Sequence, residues 1–466
     1  MKGTNTWSYH PYRPFFFEVG DIYICRVAPT EHSIHFEWLN IGEAVYEIFC
    51  RLRGAEEFSL YGKTTNCAFD ITGLEAECEY EFYVACGDQK SRVRLARCGK
   101  SVGTVVNYLH PDDEAYAFSG RYLCSPSMVR HPDGYLLASM DLFRGKDPQN
   151  LTLIFRSDDD GATWHYVSEL TPCFWGMMFI HRGELYMLAN STEYGDLLIG
   201  KSTDGGKTFG APTVLLRSSG GKSRDSGDIK AGAHKNPQNI VYHNGRIYET
   251  LEWGAWESSY GIAPMVMSCD ENADLLVAEN WHFSEPKKLR DFAPQFEASG
   301  IDPDTITIEG TLAVAPDGRL LNHMRIEHYQ KSLVFEVNTD DPDAPLAYSH
   351  CIDFPANKAK FMIRYDQPSG YYYTIGDQLY DPQKDNARNL LSLLRSADLI
   401  HWEVVCDLFD YRHEDCKQVG FQYVNFLIEG DDIIYLCRTA INGAKSFHDN
   451  NYSTFHTIKK FRELSR

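Results

Sequence analysis

Six segments of this chain run as an apolar strand, a tight turn and a second apolar strand. SMVRHPDGYLLASM turns at Asp133-Gly134, MMFIHRGELYMLAN at Arg182-Gly183 and NIVYHNGRIYETLEW at Asn244-Gly245. TLAVAPDGRLLNHM turns at Asp317-Gly318, FMIRYDQPSGYYYTIG at Ser369-Gly370 and YVNFLIEGDDIIYLC at Gly430-Asp431. Asn-Gly and Asp-Gly are the dipeptides that two-residue hairpin turns demand, because both central residues need positive φ. The turns lie roughly 60 residues apart on average, which leaves room for two further strands in each unit. Four-stranded units repeated at that interval fit the blades of a propeller. The predicted fold is all-β: a six-bladed β-propeller over residues 103–466, preceded by a small β-sandwich over residues 1–102.

The second half of the unit carries its own signature. Ser157-Asp158-Asp159-Asp160-Gly161-Ala162-Thr163-Trp164 is one copy, and Ser202-Thr203-Asp204-Gly205-Gly206-Lys207-Thr208-Phe209 is another. Ser396-Ala397-Asp398-Leu399-Ile400-His401-Trp402 is a shorter third, and Ser268-Cys269-Asp270 running on to Trp281 a stretched fourth. Asp and Ser cap local backbone N–H groups, Gly takes the awkward φ, and the aromatic folds back between strands. These turns resemble the Asp boxes of the sialidase superfamily. Residues 104–463 are similar to bacterial sialidase-like, BNR-repeat propellers, most visibly in HNGRIYETLE, KFMIRYD, GFQYVNF and HDNNYSTFH. The boxes imply fold and not chemistry, since they sit away from the active face of that superfamily.

The first hundred residues read as short alternating strands: SIHFEWLN, AVYEIFCRLR, CAFDITGL and CEYEFYVACG. Gly73 to Ala85 resembles fibronectin type III, which would make Trp38 the core tryptophan and Tyr80 the corner tyrosine. A content of 13% Phe, Trp and Tyr suits strands throughout. The net charge of −20 opposes nucleic-acid and anionic-membrane partners. The 13 cysteines are scattered without a CxxC pair and read as reduced small hydrophobes. MKGTNTWSYHPYRPFFF has no apolar leader core, so the expected location is cytoplasmic, or secreted if a leader was trimmed.

Topology locates a candidate site. Residues before the first strand and after the second strand of each unit converge on one face, opposite the Ser/Asp turns. Unit by unit these are Asp141 and Arg144; Trp175 and Glu193; His234, Lys235, Asn236 and Glu252; Glu309, His323 and Arg325; Lys358, Lys360 and Arg388; and Gln422, Tyr423, Arg438 and His448-Asp449-Asn450-Asn451-Tyr452. Glu309 at a strand start is either solvated or functional. Glu252 between apolar neighbours needs a partner or a raised pKa. Arg438 at the end of a buried strand is a structural ion pair or an anion ligand. Lys358, Lys360 and Arg364 alternate onto one face, an anion site if that face lines the channel and a solvated edge if not. His448 and His456 lack further ligands nearby, so no metal and no other cofactor is expected.

Three functions remain open at this stage, all with an oligosaccharide partner. The first is an exo-acting glycoside hydrolase releasing a terminal, acidic sugar. The superfamily resemblance implies a Tyr nucleophile activated by Glu, taken here from Tyr423 or Tyr452 with Glu309 or Glu252. It also implies arginine clamps, here Arg325, Arg388 and Arg438. The family's first arginine, in Arg-Ile-Pro, is replaced by Cys124-Ser125-Pro126, which argues against sialic acid. Lys360, Gln422, Trp175 and Tyr452 are the further expected substrate contacts. The second function is a uronate lyase with His234 and Tyr423, or His448 and Tyr452, as acid and base and Arg438 as neutralising cation. In the hydrolase, His448 and Asp449 would serve as acid and base. The third is a non-catalytic glycan-binding propeller.

Overall fold

The computed structural model describes Trp7 and residues 22–42, 44–144, 147–219, 231–255, 262–384 and 386–464. The stretch read for a leader therefore lies outside the described residues, apart from Trp7. The chain is almost wholly β, with one short α-helix, Ala293–Ala298, among the described residues. No helix among them is long and apolar enough to cross a membrane.

All six hairpins form, and Gly134, Gly183, Gly245, Gly318, Gly370 and Gly430 at their turns all have positive φ. Each hairpin opens a separate antiparallel sheet of four or five strands. Sheet 1 is Tyr122–Arg130, Leu136–Phe143, Thr152–Ser157 and His165–Leu170. Sheet 2 runs from Phe174–His181 through Glu184–Asn190 and Leu197–Ser202 to Thr213–Leu216. In sheet 3 the first strand is broken into Gly232–His234 and Val241–His243 around Pro237, and both pieces pair with Arg246–Gly254. Proline offers no N–H to a ladder, so the break falls there. Sheet 4 spans Thr307–Val314 to Ala347–Asp353, and sheet 5 Arg364–Asp366 to Glu403–Asp410. Sheet 6 has Gly420–Glu429, Asp432–Ala440 and Tyr452–Ile458 from the end of the chain and takes its fourth strand, Thr104–Tyr108, from the beginning. That closing strand carries no hairpin signal, and only the pairing of distant segments reveals it.

The first strands of the sheets gather around one axis. Tyr122–Arg130 packs on both Phe174–His181 and Gly420–Glu429, and Tyr371–Asp377 also packs on Gly420–Glu429. One device recurs between them: a polar side chain of one first strand accepts a backbone N–H of the next. Ser127 takes the N–H of Met178 at 2.9 Å, Asn425 that of Met128 at 3.2 Å, and Thr311 that of Ile363 at 3.2 Å.

The Ser/Asp turns join third and fourth strands. In two of them Ser Oγ accepts the Gly N–H, at 2.8 Å for Ser157 and Gly161 and at 2.9 Å for Ser202 and Gly206. Asp159 and Asp204 each accept a threonine N–H at 2.8 Å, and Trp164 and Phe209 are buried. Gly161, at φ +88°, leaves no room for a Cβ, which would sit 2.0 Å from the Phe455 ring.

Residues 24–97 form two further sheets packed face to face around Phe36, Trp38, Tyr46 and Phe82. The Tyr80 hydroxyl accepts the N–H of Glu75 at 2.9 Å. This part is tied to the closing strand by buried groups. Arg26 bonds the Val105 and Val106 carbonyls and pairs with Glu37 at 2.9 Å, while Arg94 pairs with Asp113 at 2.7 Å. Its core continues without interruption into Tyr108, Phe421, Tyr435 and Tyr452.

Candidate active site

Four of the six first strands carry the same irregularity near their start. In sheets 1, 2, 4 and 6 the register slips by one residue between Cys124 and Ser127, Phe174 and Met177, Ile308 and Thr311, and Gln422 and Asn425. The first residue of each bulge lies in the left-handed region: Ser125 at φ 45°, Trp175 at 50°, Glu309 at 60° and Tyr423 at 55°. This conformation costs a non-glycine residue on the order of 1 kcal/mol or more, and bulges of this kind re-aim a side chain. In sheet 4 the next residue must be glycine, since a Cβ on Gly310 would meet Asn322 Oδ1 at 2.3 Å.

The re-aimed side chains of Glu309 and Tyr423 meet at Arg325, whose strand position is paired with Ile308. One Arg325 nitrogen donates to Glu309 Oε2 at 2.5 Å and lies 3.4 Å from the Tyr423 hydroxyl, and the other donates to Glu327. Two more guanidinium groups flank the phenol ring. Arg438 is 4.9 Å and Arg388 5.7 Å from its centroid. Arg388 is held by Gln422 and faces Phe447 at 5.4 Å. Arg438 is held by Asn450 at 2.7 Å and by the His448 carbonyl, and it faces Phe143 at 5.7 Å. His448 bonds Asp449 at 2.9 Å; these two side chains remain 36% and 28% exposed and so reach solvent beside the buried arginines.

Charge tunes this cluster in opposite directions. Burial alone would raise the Glu309 carboxyl, but Arg325, His234 and the Tyr423 hydrogen bond outweigh it and hold it below the usual carboxylate range. Burial, then the Glu309 charge, pushes the Tyr423 phenol up to about 12, and Arg325, Arg388 and Arg438 offset only part of this. Burial, then Arg438, pushes His448 down to about 4.

His234 and Glu252 stand beside the cluster, paired across sheet 3. Glu252 Oε2 bonds His234 Nδ1 at 2.6 Å, and its Oε1 accepts the Gly310 N–H at 3.1 Å. Glu252 is thus a fully buried carboxylate with both oxygens engaged, and it pins the bulge that presents Glu309. Trp175 lies edge-on to His234 at 4.4 Å and packs with Phe174 and Tyr194, so it forms an aromatic wall.

Other expected contacts lie elsewhere. Tyr452 is fully buried against Tyr108, 4.7 Å between ring centroids, and belongs to the core shared with the N-terminal sheets; it cannot touch substrate or partner His448. Gln422 is fully buried and acts on Arg388, with its amide donating to the Phe447 carbonyl. Lys360 is 1% exposed and its ammonium donates to the Pro237 carbonyl at 2.7 Å. It belongs to a layer under the site with Lys235, Asp141 and Glu249. Burial raises Asp141 to about 7 and Glu249 to about 8, and lowers Lys235 to about 8 and Lys360 to about 7. Asp141 is nonetheless bonded, to Thr152 at 2.5 Å. His323 is buried, without a hydrogen-bond partner among the described residues, and neutral. Arg144 pairs with Asp147 at 3.7 Å, and Glu193 accepts from Gln149 at 2.6 Å. No group of three or more potential metal ligands occurs among the described residues.

Sequence reasoning missed the bulges, Glu327, Phe143, Phe447 and Glu249. A faint signal was present for two bulges: Trp175-Gly176 and Glu309-Gly310 place a glycine inside an otherwise apolar strand.

Neither a family model nor a curated protein sequence matches the chain. Solved structures do. A protein of unknown function from Dyadobacter fermentans matches with a TM-score of 0.51 and 12% identity, over 77% of this chain and 99% of that one. An α-L-arabinanase from Penicillium chrysogenum complexed with arabinobiose matches with a TM-score of 0.50 and 12% identity, over 78% and 99%. A polysaccharide lyase of family PL25, an ulvan lyase bound to -[GlcA(1-4)Rha3S]-, covers 93% of this chain and 91% of that one at a TM-score of 0.44 and 10% identity. At these identities the likeness is one of fold.

Proposed function

We propose that this chain is a carbohydrate-active enzyme built on a six-bladed β-propeller, and that it is an exo-acting glycoside hydrolase releasing a terminal acidic sugar. The observation that carries the reading is the junction at Arg325, where a carboxylate and a phenol from two bulged strands meet among three guanidinium groups. The likeness in fold to an arabinanase that holds a disaccharide fits an oligosaccharide substrate.

In this mechanism Tyr423 Oη attacks the anomeric carbon while Glu309 accepts its proton. The C–O bond to the leaving group breaks, and the leaving oxygen takes a proton from the His448–Asp449 pair. Water then cleaves the tyrosyl-glycoside, with neutral His448 taking the water's proton and Glu309 returning the phenol's. A neutral phenol suits the task, since it leaves the intermediate more easily than an alkoxide and needs a base to attack. Arg388 and Arg438 would bind the sugar carboxylate by bidentate hydrogen bonds. The low value of His448 means that its protonated form is abundant only in acid, where Glu309, held below the usual range, is still ionised.

The second reading is a lyase that removes a proton next to a uronate. It is favoured by His234 and Tyr423 both bearing on Glu309. Incubation with sialylated, uronate-capped and rhamnose-capped oligosaccharides separates the two. New reducing ends without ultraviolet absorbance support hydrolysis, rising absorbance of unsaturated uronate supports the lyase, and binding without either change leaves a glycan-binding protein.

A further inference from the structure

The same six first strands enclose a second feature at their other end. A cavity of about 840 Å³ is lined by residues from all six sheets, among them Met128, Met178, Ile240, Leu312, Ile363 and Leu427. From Tyr423 to Leu427 or Glu429 is four to six residues of strand, roughly 13–20 Å, so this space is separate from the Arg325 cluster.

Its walls are mainly apolar, yet they hold two arginines. Arg130 is neutralised: it bonds Glu429 through two nitrogens and Asp160 at 2.7 Å. Arg364 is not. Among the described residues its side chain has no carboxylate and no hydrogen-bond acceptor, and its buried Nε has no partner. It only faces the Phe426 ring, 5.8 Å from the centroid. The residue is partly exposed, and loss of solvent is the one influence on its basicity, lowering it to about 10, so it remains a cation with no carboxylate beside it. Nearby Lys360 has Glu249 and Glu309 to balance it, whereas Arg364 has no such carboxylate.

Gln238 and Asn239 also line the cavity, with their amide oxygens turned away from its solvent. The Gln238 amide is oriented by its nitrogen, which donates to the Phe361 carbonyl at 2.9 Å. A cation that lines a cavity without a carboxylate beside it asks for an anion. At the mouth stand Tyr242 and Tyr365, 49% and 54% exposed, which offer ring faces of the kind that pack on the C–H face of a sugar.

We propose that this cavity is a second binding site, for a carboxylate of sugar-acid size, with Arg364 anchoring the carboxylate and the exposed rings of Tyr242 and Tyr365 packing on its carbon skeleton. The site is independent of the chemistry proposed at Tyr423.

The test is calorimetric titration of the full chain with D-glucuronate, methyl β-D-glucoside and acetate. Because the arginines beside Tyr423 could also hold glucuronate, it is run in Arg438→Met and in Arg438→Met/Arg364→Met. The first variant is expected to bind one glucuronate, about tenfold or more tighter than either control, and the second to lose at least about tenfold. Undiminished binding in the double variant, acetate binding as tightly as glucuronate, or no binding to Arg438→Met would each overturn the assignment.

Discussion

Glu309→Gln is the most informative single change. Tyr423 titrates near 12, so at pH 5 the phenolate fraction is on the order of one in ten million, and attack requires a base. Glu309 is the carboxylate at that hydroxyl, and glutamine cannot take the proton. Loss of a positioned general base costs about 10²–10⁴ in rate, or about 3–5 kcal/mol of barrier. Folding is expected to survive, since glutamine keeps an oxygen for Arg325, which also retains Glu327. The Tyr423 pKa should move downward in the variant. Burial still raises it, but the Glu309 charge is gone while Arg325, Arg388 and Arg438 remain to favour phenolate. Initial rates on an aryl glycuronide, together with ultraviolet difference titration of tyrosinate against Glu309→Gln/Tyr423→Phe, read both effects. A variant within about tenfold of wild type, or a phenol that titrates higher, refutes the proposed couple.

Three further outcomes are expected. If His448 is the acid, kcat/KM rises as pH falls from 7 toward 4, by up to about tenfold per unit, and His448→Asn flattens the profile; because the folded value lies below the ordinary one, the same group makes the fold less stable over the fall from about 6.5 to about 4. Asp141, raised from 3.8 to about 7 by burial, costs the fold stability as pH climbs through that window, so Asp141→Asn should raise the melting temperature at pH 8 and not at pH 4, by up to about 4 kcal/mol of stability. Gly161→Ala, at φ +88° and with its new Cβ 2.0 Å from the Phe455 ring, should lower stability by about 2–4 kcal/mol in denaturant melts while leaving KM unchanged in the surviving folded protein.

Three arginines illustrate how far the residues alone could lead. Arg325, Arg388 and Arg438 are candidates because each stands at or beyond the end of its unit's second strand, and the structure gathers all three around one phenol. Which phenol was not legible. Tyr423 and Tyr452 both stand near the start of a strand of the last unit, but a one-residue bulge turns Tyr423 toward Glu309, while regular pairing turns Tyr452 into the core. A one-residue slip exchanges the two faces of a strand, and composition hardly records it.

What the sequence determined by itself was local: the positive-φ turns of six hairpins, the Ser/Asp turns that bond their own backbone, and the apolar alternation that makes every unit a sheet with a face to bury. Interactions spanning a few residues are written in neighbouring residues. The tertiary structure decided what depends on distant segments meeting. Thr104–Tyr108 closes sheet 6 some 350 residues from its partner strand, Glu252 of sheet 3 fixes the bulge of sheet 4, and Arg364 lines a cavity bounded by all six sheets. Whether a buried charge is balanced, and whether a carboxylate is base or brace, follows from those meetings, because desolvation and Coulomb attraction depend on distance in space and not on separation along the chain.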